Sequence, residues 1–533
     1  MVNRATASWV NFSKGRSPLA CLISVWLTLG ALGSQRGASQ EIEPSFTREW
    51  SKSFLGVAIS PDGRTLAVGV MGNGIHLIDL AGRKERPPTL KHPGERYSYL
   101  HLAYSPDGKM IAVGGCLSPD INIDEIVGIY DAATGKELFA LNTNRHGHTA
   151  VAFAPKGKIL AVATEDGEDV LLWDLESRKL HKRLLGHRPN AEGLAFSPDG
   201  KLLATSLHAE DEIYQWDVAT GKKLRTFKMD RLLPADRGFG DSWHIAFSPD
   251  GETLAAGSSW GAVIFVDPRM GTVKRILQER ARASCFAIEF SVDGKMVATA
   301  IGDTIQLWEV ATAKERARFR GQERIASMAL SPDSRILASG SIAGILNVWD
   351  LDVEKRKKPD DAELPRLWKD LEGGDVALAY KAIRILTTFS LQSLPFLHKR
   401  LRPTAAPPPE APANEIKHSL ADLDSDVFAT REKATDDLKK CCFSAEATLR
   451  RALSGRPSLE VRRRVEAILE HIERTRTAQQ LQELRALEVL EHIGTAEARD
   501  FLEELGKGVA DARLTQEAKA SLARLKKRPI PKP

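Results

Sequence analysis

Cysteine is scarce in this sequence, with five residues among 533. That number excludes a fold built on disulfide bonds. We expect the cysteines beyond the N-terminal segment to be mostly buried. They are Cys116, Cys285, Cys441 and Cys442. The sequence also lacks an excess of charge of one sign, because 75 basic side chains stand against 70 acidic ones. The short basic runs at 355–358 and 526–528 are not enough to indicate a nucleic-acid partner, and we expect none.

Long apolar runs are missing, apart from one of 15 residues at Leu19–Gly33. This run is too short to span a bilayer comfortably, and basic residues precede it. Its length and the small residues Ala31 and Gly33 are typical of a secretory signal. We therefore predict a signal peptide over 1–33 and an exported protein, periplasmic or at the cell surface or extracellular. The alternative is an uncleaved N-terminal membrane anchor, which would be the chain's one connection to a membrane.

Motifs of catalysis and metal binding are also lacking. The 13 histidines form no His-Glu-x-x-His, and His146 and His148 have no third ligand nearby. The segment Gly257–Gly261 fits the Gly-x-Ser-x-Gly pattern of hydrolases. It falls, however, where we predict a turn between two strands, whereas a nucleophile elbow joins a strand to a helix. We predict no catalysis, no cofactor and no metal.

A chain of 533 residues exceeds a single ordinary core, and internal repeats supply the organisation. The tetrapeptide Ser-Pro-Asp-Gly, or a close variant, recurs seven times between two apolar runs. Its copies begin at Ser60, Ser105, Ala154, Ser197, Ser248, Ser291 and Ser331. Proline and glycine in this order predict a tight turn between two strands.

Each copy is followed, after two more strand-like runs, by an apolar or aromatic residue and then an acid. These acids are Asp79, Asp131, Asp174, Asp217, Asp267, Glu309 and Asp350. The pattern resembles the WD-repeat β-propeller family, which implies seven four-stranded blades over 45–353. Gly186-His187 fits the family's Gly-His motif, but most blades lack it, so the family's buried His–Ser–Trp–Asp network is incomplete in most blades.

The repeat register leaves the last blade without its outer strand. The segment Ser45–Trp50 stands before the first blade, and we predict that it closes the ring against the last blade.

Two loop insertions fall on the same face of the predicted propeller. In the family's strand order the Pro-Asp-Gly turns lie on the bottom, and the second-to-third-strand and blade-to-blade loops lie on top. The insertions, at 115–125 and 229–242, are both top loops. Their mixed polar side chains are the predicted partner-binding residues, with neutral drift of surface loops as the alternative. The residues are Asp120, Asp124, Arg231, Asp236, Arg237 and Trp243.

One position near the central channel departs from the repeat. Two residues before the turn, all copies of the repeat except one have alanine, a small residue that suits the crowded inner ends of the blades. The exception is the copy of the sixth blade, which has Glu289. A hydrogen-bonded structural carboxylate is one interpretation. The other is a site at the channel mouth, which Glu289 would share with His101 and His244 at the starts of innermost strands. That site would make the protein an enzyme or a small-ligand receptor.

The last third of the chain has helical periodicity. We predict a basic linker and helical segment over 354–402, a proline-rich linker over 403–414, a helical domain over 415–527 and a tail over 528–533. Thr495 and Thr515 are suited to helix N-caps, and Gly494 to a helix end.

The helical domain carries a repeated phrase. It consists of Arg431, Ala434 and Leu438, and then Arg462, Val465 and Leu469. This phrase resembles HEAT-type repeats, which implies a curved surface for protein or peptide partners; a compact bundle without a groove is the alternative.

The predicted fold class is thus a seven-bladed all-β propeller followed by an all-α, HEAT-like domain. This arrangement resembles exported WD-repeat proteins of bacteria. We predict a monomeric scaffold that binds protein or peptide partners through the top face of the propeller and through the helices.

Overall fold

The computed structural model describes residues 42–527 with internal gaps. The gaps are 51–54, 71–72, 91–96, 118–125, 144–148, 165–168, 187–190, 208–211, 230–241, 279–280, 282, 352–357, 361, 404–412, 456, 475 and 511. The described residues contain 28 strands followed by nine helices. The predicted signal peptide and the tail lie outside the described residues.

Seven antiparallel sheets of four strands form the blades of a propeller. Blade 1 comprises β2 (Leu55–Ile59), β3 (Thr65–Val70), β4 (Gly74–Asp79) and β5 (Lys84–Leu90). Blade 2 comprises β6 (Tyr97–Tyr104), β7 (Met110–Leu117), β8 (Ile126–Asp131) and β9 (Glu137–Asn142). Blade 3 comprises β10 (Thr149–Phe153), β11 (Ile159–Thr164), β12 (Asp169–Asp174) and β13 (Lys179–Leu185). Blade 4 comprises β14 (Ala191–Phe196), β15 (Leu202–Leu207), β16 (Glu212–Asp217) and β17 (Lys223–Lys228).

The remaining blades follow the same order, except that the last one takes a strand from the start of the chain. Blade 5 comprises β18 (Ser242–Phe247), β19 (Leu254–Ser258), β20 (Val263–Val266) and β21 (Val273–Gln278). Blade 6 comprises β22 (Cys285–Phe290), β23 (Met296–Ile301), β24 (Thr304–Glu309) and β25 (Lys314–Arg320). Blade 7 comprises β26 (Ile325–Leu330), β27 (Ile336–Ser341), β28 (Ile345–Asp350) and β1 (Phe46–Glu49). The seven-bladed propeller predicted from the repeats is confirmed.

The ring closes as predicted, because β1 pairs antiparallel with β28. The Thr47 hydroxyl donates to the Asn347 side chain over 2.9 Å, and the Trp349 indole N–H donates to the carbonyl of Ile42 over 3.0 Å. Closure gives blade 7 its fourth strand and covers the edge of β28, which would otherwise be exposed to edge-to-edge pairing.

A serine–aspartate pair stabilises six of the seven Pro-Asp-Gly-type turns. In the turn of blade 1, the Ser60 hydroxyl donates to Asp62 over 2.5 Å and accepts from the Thr65 N–H over 2.9 Å. The Ala-Pro-Lys-Gly turn of blade 3 has neither side chain and lacks this pair. The glycine of the turn adopts a positive φ, 72° at Gly63, which glycine accepts without strain.

These turns pack against one another around the bottom of the channel. A Cβ atom built on Gly251, for example, would lie 3.4 Å from Cδ of Pro198 in the preceding blade, and five other glycines make the equivalent contact. The series breaks between blades 6 and 7. There Val292 replaces the proline and is 45% exposed, and Ser334 replaces the glycine at a φ of 59°. The ring of turns therefore has one irregular junction, between blades 6 and 7.

Nine helices follow the propeller in the described residues. They are α1 (Glu363–Glu372), α2 (Val376–Thr388), α3 (Ser390–Arg400), α4 (Ala413–Asp422), α5 (Phe428–Ser454), α6 (Leu459–Arg474), α7 (Ala478–Ile493), α8 (Ala496–Leu505) and α9 (Arg513–Lys527). Gly494 ends α7 at a φ of 62°, and Thr495 caps α8, both as predicted. The cap prediction for Thr515 is wrong, since α9 already begins at Arg513 and Thr515 is buried within it. Within the described residues, no helix combines the length and the apolar character needed to cross a membrane.

The helices share two hydrophobic cores, and the cores do not follow the domain boundaries predicted from the sequence. Helices α1–α3 pack with α7–α9, while α4–α6 form a core of their own. The segment 354–402 thus supplies half of a core whose other half comes from the region predicted as 415–527. Apolar residues at helical spacing do not show which distant helix they contact. For this reason the sequence pattern predicts a domain boundary at the proline-rich linker.

The closing strand gives a testable prediction. Deleting residues 42–50 removes β1 together with the packing of Phe46 and Trp50 against blades 1 and 7. We expect the free energy of unfolding to fall by about 3 kcal/mol or more, since each aromatic side chain loses burial, and the exposed edge of β28 to promote aggregation. Thermal unfolding and light scattering measure both effects.

Thr47→Ala is the matched control for this deletion. It removes one hydrogen bond and keeps the strand, so its cost is about 1 kcal/mol. A deletion variant that is as stable as Thr47→Ala would contradict closure by β1.

Candidate functional site

The predicted partner-binding residues on the top face belong mostly to segments that are not described. Asp120, Asp124, Arg231, Asp236 and Arg237 lie outside the described residues. Trp243 lies on β18, but its side chain is not described. Their role therefore stays a prediction.

The segment Gly257–Gly261 is the turn between β19 and β20, and it lies on the top face. The Ser258 hydroxyl accepts from the N–H groups of Trp260 and Ala262, over 3.2 and 3.0 Å. Ser341 in blade 7 makes the equivalent pair of hydrogen bonds. The segment therefore joins two strands and does not form a nucleophile elbow. Its Trp260 side chain is 47% exposed on the top face.

The three predicted channel-mouth residues have different environments. Burial and, to a smaller extent, the charge of the nearby His101 lower the pKa of His244 to about 3, so His244 is neutral at physiological pH. Burial raises the pKa of Glu289 to about 7, against an opposing hydrogen bond from Leu330. His101 and His244 are close enough to influence each other electrostatically.

Glu289 also has a structural partner. Its carboxylate accepts the N–H of Leu330, on the innermost strand of blade 7, over 2.8 Å. Ser327 does the same one blade further on, where its hydroxyl accepts the N–H of Val57 over 3.1 Å. Innermost strands have no neighbouring strand on the channel side, and these side chains satisfy two of their free donors. The structural carboxylate is thus the interpretation of Glu289 that the contacts support.

The bottom face carries the densest group of ionised side chains in the described residues. Helix α7 lies against blade 6, and Arg485 of α7 donates twice to Glu309 of β24, over 3.0 Å each. Arg316 of β25 donates to Glu309 over 2.7 Å and twice to Glu488 of α7, over 2.6 and 3.0 Å. All four side chains are at most 3% exposed. We name these four residues the Glu309 quartet.

Glu309 occupies the position that is aspartate in the other six blades. In blade 2 the equivalent Asp131 accepts from the N–H groups of Ala133 and Thr134 and so caps its own turn. Glu309 accepts from the Thr312 hydroxyl over 2.6 Å, and its longer side chain also reaches the two arginines. One additional methylene group therefore turns a local cap into a link between blade and helix.

The quartet also connects to a second helix. Arg485 donates to the carbonyl groups of Leu371 and Gly373 at the end of α1, over 2.7 and 2.9 Å. Burial alone would raise the pKa of Glu309, but the charges of Arg316 and Arg485 outweigh it and hold the pKa well below its usual range. The carboxylate is therefore ionised at every physiological pH.

A second buried cluster, the Glu491 cluster, lies beside the quartet. Glu491 of α7 accepts from Arg524 of α9 over 2.7 and 2.8 Å and from Lys295 of the blade 6 turn over 3.2 Å. Lys295 also lies 3.4 Å from Glu517 of α9. Burial opposes the charge of Glu491, but Lys295 and Arg524 lower its pKa to about 2. This cluster ties both helices to the propeller turn.

The end of α7 contacts the irregular junction of the ring. Arg335, in the turn of blade 7, donates to the carbonyl of His492 over 3.0 Å. The His492 ring nitrogen Nε2 lies 3.3 Å from Oδ2 of Asp293 in the turn of blade 6. The helix thus bridges the two blades between which the proline–glycine contact is missing.

A cavity of about 780 Å³ lies between the bottom face and the helices. Turn residues of blades 1, 5, 6 and 7 line one side, and α7 and α9 line the other. Its lining mixes apolar side chains such as Val292 and Leu484 with members of the quartet. These quartet members already form ion pairs with one another. The cavity is therefore part of the interface between the propeller and the helices.

The repeat pattern does not predict either ion-pair cluster, although the sequence contains two signals of them. Glutamate follows Trp308 where the repeat elsewhere has aspartate. Arg485, Glu488 and Glu491 recur every three residues on α7, among the apolar residues of its buried face. Charged side chains at buried helix positions indicate partners on another element.

The quartet gives a prediction for stability. Glu309→Gln removes the charge that compensates Arg485 and Arg316, and a broken buried ion pair costs about 3–5 kcal/mol. We expect α7 to detach from blade 6, which hydrogen–deuterium exchange of residues 478–493 measures as faster exchange. Asp131→Asn is the matched control, since it changes the equivalent acid of blade 2, where no helix docks. Unchanged exchange of α7 in Glu309→Gln would contradict the role of the quartet.

Glu289 gives a prediction for pH dependence. Its pKa is about 7 in the folded protein and about 4.5 when unfolded, so the folded state binds more protons between these values. Stability therefore falls as pH rises from about 4.5 to 7 and levels off above. Glu289→Gln should remove that contribution and stabilise the protein at pH 8 by about 1–2 kcal/mol relative to pH 5. Chemical denaturation at both pH values tests this, and an unaltered pH dependence would contradict it.

Comparison with known proteins agrees with the fold. The family model described as "WD domain, G-beta repeat" matches residues 178–217 and 313–350. "WD repeat-containing protein SL1-17" of Schistosoma mansoni is 28% identical over 132 residues, which are 25% of this chain and 41% of that protein. "Periodic tryptophan protein 2" of Arabidopsis thaliana is 30% identical over 109 residues, 20% of this chain and 12% of that protein.

The chain thus spans less than half the length of either of these relatives. The matched residues lie in blades 3–4 and blades 6–7, where strand order and turn chemistry follow the repeat. This chain therefore contains WD40 repeats within a seven-bladed β-propeller, and a helical region follows the propeller.

Proposed function

We propose that this protein is an exported interaction scaffold that binds a protein or peptide partner on the top face of its propeller and has no catalysis of its own. One observation carries the proposal. On the bottom face, the turns of blades 6 and 7 are already covered by helices of the same chain, through the Glu309 quartet and the Glu491 cluster. WD40 propellers commonly serve as protein-interaction scaffolds, and because the described helices dock on the bottom face, we assign the partner to the top face.

Described side chains on the top face support this choice. Trp260 is 47% exposed and Ile342 is 39% exposed, in the equivalent turns of blades 5 and 7. Between them, the Arg324 guanidinium lies 4.2 Å from the centre of the Phe286 ring. Tryptophan and arginine dominate the energetics of many protein interfaces. The two predicted insertions, 115–125 and 229–242, extend the same face.

Other parts of the proposal rest on the sequence. The apolar segment 19–33 supports export of a bacterial protein, with an uncleaved anchor as the alternative. The resemblance of α4–α6 to HEAT repeats supports a second surface for a protein partner; Ala434, Leu438, Val465 and Leu469 all lie in their common core. We propose a monomer.

Crosslinking in the native cell, followed by mass spectrometry of the captured proteins, tests the proposal. We expect the full chain to capture a specific partner. Variants with shortened loops 115–125 or 229–242 should capture at least about tenfold less of it. Trp260→Ala should have the same effect, because removing a tryptophan anchor that the partner buries costs about 2 kcal/mol or more. Leu224→Ala is the control, since Leu224 is 55% exposed but lies on the outer strand β17 of blade 4. Unchanged capture by all three top-face variants would refute top-face binding.

A further inference from the structure

Three metal-ligating side chains meet where α7 docks on blade 6. They are Asp293, Glu488 and His492, and one ligand atom of each lies within 4.8 Å of the other two. We propose that this triad binds a divalent transition-metal ion, and that the ion clamps α7 onto the propeller. One imidazole and two carboxylates suit Zn²⁺ among the common metals of proteins. The sequence alone predicts no metal here, because these ligands come from segments about 200 residues apart.

The geometry of the triad suits one ion. Glu488 and His492 are four residues apart on α7, so they lie on the same face of the helix. The Asp293 Oδ2 and His492 Nε2 atoms are 3.3 Å apart. A charge-assisted hydrogen bond is shorter, about 2.7–2.9 Å. Two ligands on a tetrahedral zinc ion, with bonds of about 2.0–2.1 Å, lie about 3.3 Å apart.

The neighbours of two ligands hold them in place and leave ligand atoms available. Oδ1 of Asp293 accepts from the Ser291 hydroxyl over 2.5 Å and from the Lys295 N–H over 3.0 Å, so Oδ2 remains for a metal. Arg316 occupies one lone pair on each oxygen of Glu488, and each oxygen has a second lone pair. Such supporting hydrogen bonds are typical of protein metal sites.

Charged side chains of both signs surround the triad. Among the described residues, the two connected ion-pair clusters and Asp293 contain five carboxylates and four basic side chains. The carboxylates are Asp293, Glu309, Glu488, Glu491 and Glu517, and the bases are Lys295, Arg316, Arg485 and Arg524. Arg335, whose guanidinium donates to the His492 carbonyl over 3.0 Å, brings these charges into balance, so an added cation meets no excess of positive charge. His492 also lies in the last turn of α7, where the helix dipole attracts positive charge.

The cavity beside the triad has room for the remaining ligand of the metal ion. Asp293 and Glu488 both line the cavity of about 780 Å³, so a water molecule has room to serve as the fourth ligand. A metal at this position joins the blade 6 turn directly to α7, beside the junction where the ring of turns is irregular. The ion therefore adds to the docking that the Glu309 quartet begins.

The test is a titration of the full chain, freed of metal by chelation and dialysis, with zinc chloride. Calorimetry should give one site with a dissociation constant of about 10 µM or tighter, and bound zinc should raise the unfolding temperature. Asp293→Asn and His492→Gln should each weaken binding by about 100-fold, as expected when a ligand is lost.

Asp62→Asn is the matched control. Asp62 occupies the same turn position in blade 1 and accepts from the Ser60 hydroxyl over 2.5 Å and the Arg64 N–H over 3.0 Å, as Asp293 does from its own neighbours. It is not part of the triad, so its variant should bind zinc like the wild type. Absence of saturable binding, or binding that Asp293→Asn and His492→Gln leave unchanged, overturns the site. In that case Asp293 and His492 form an ion pair only.

A measurement on the wild-type chain covers the case in which these variants do not fold. Deuterium exchange at C2 of the histidine rings, read by mass spectrometry, should slow at His492 when zinc is added. The exposed His418 is the internal reference, and its exchange should not change. Equal exchange at His492 with and without saturating zinc overturns the proposal.

Discussion

The buried carboxylate of Glu309 lies at the centre of the contact between the propeller and its helices. Burying an ionised carboxylate away from solvent costs free energy. The Glu309 carboxylate is stable because Arg485 donates to both of its oxygens and Arg316 donates to one of them. The fork of each guanidinium admits few orientations, so the ion pairs fix the angle of α7 on blade 6 as well as its position. Contacts with α7 then set the positions of the helices that pack against it. Helices α1–α3, α8 and α9 share a core with α7, and Tyr380 of α2 packs into the core between blades 6 and 7.

The site of docking follows from a defect in an otherwise repeated pattern. Around the bottom of the ring, glycines of the turns pack on prolines of the preceding blade, which leaves little to hold a helix. Between blades 6 and 7, valine and serine replace that pair, and Arg335 and Asp293 instead contact His492. An internal irregularity thus distinguishes one junction from six similar ones, and α7 contacts this junction through Arg335 and Asp293.

The sequence predicted the propeller well because each blade is a local unit. Turn tetrapeptides and strand-end acids lie 18 to 26 residues apart, so their spacing alone predicts the number of blades and the closing strand Ser45–Trp50. The docking interface was not predictable in this way. Glu309 and Arg485 are 176 residues apart, and no repeat relates them. Glu289 was recognised as an exception in an alanine series, but its partner, the Leu330 N–H, is a backbone group that a sequence pattern cannot indicate.

Ring closure has a consequence for the order in which the chain is assembled. Thr47 meets a partner 300 residues further along, so β1 leaves the ribosome long before β28 exists. Throughout synthesis its backbone donors and acceptors have no strand to pair with, and the growing row of blades ends in an open edge. The helices emerge later still and can settle on blades 6 and 7 only once those are complete. The first described strand of the propeller is therefore among the last to find its partner, and a chaperone that keeps it extended until then would serve this fold.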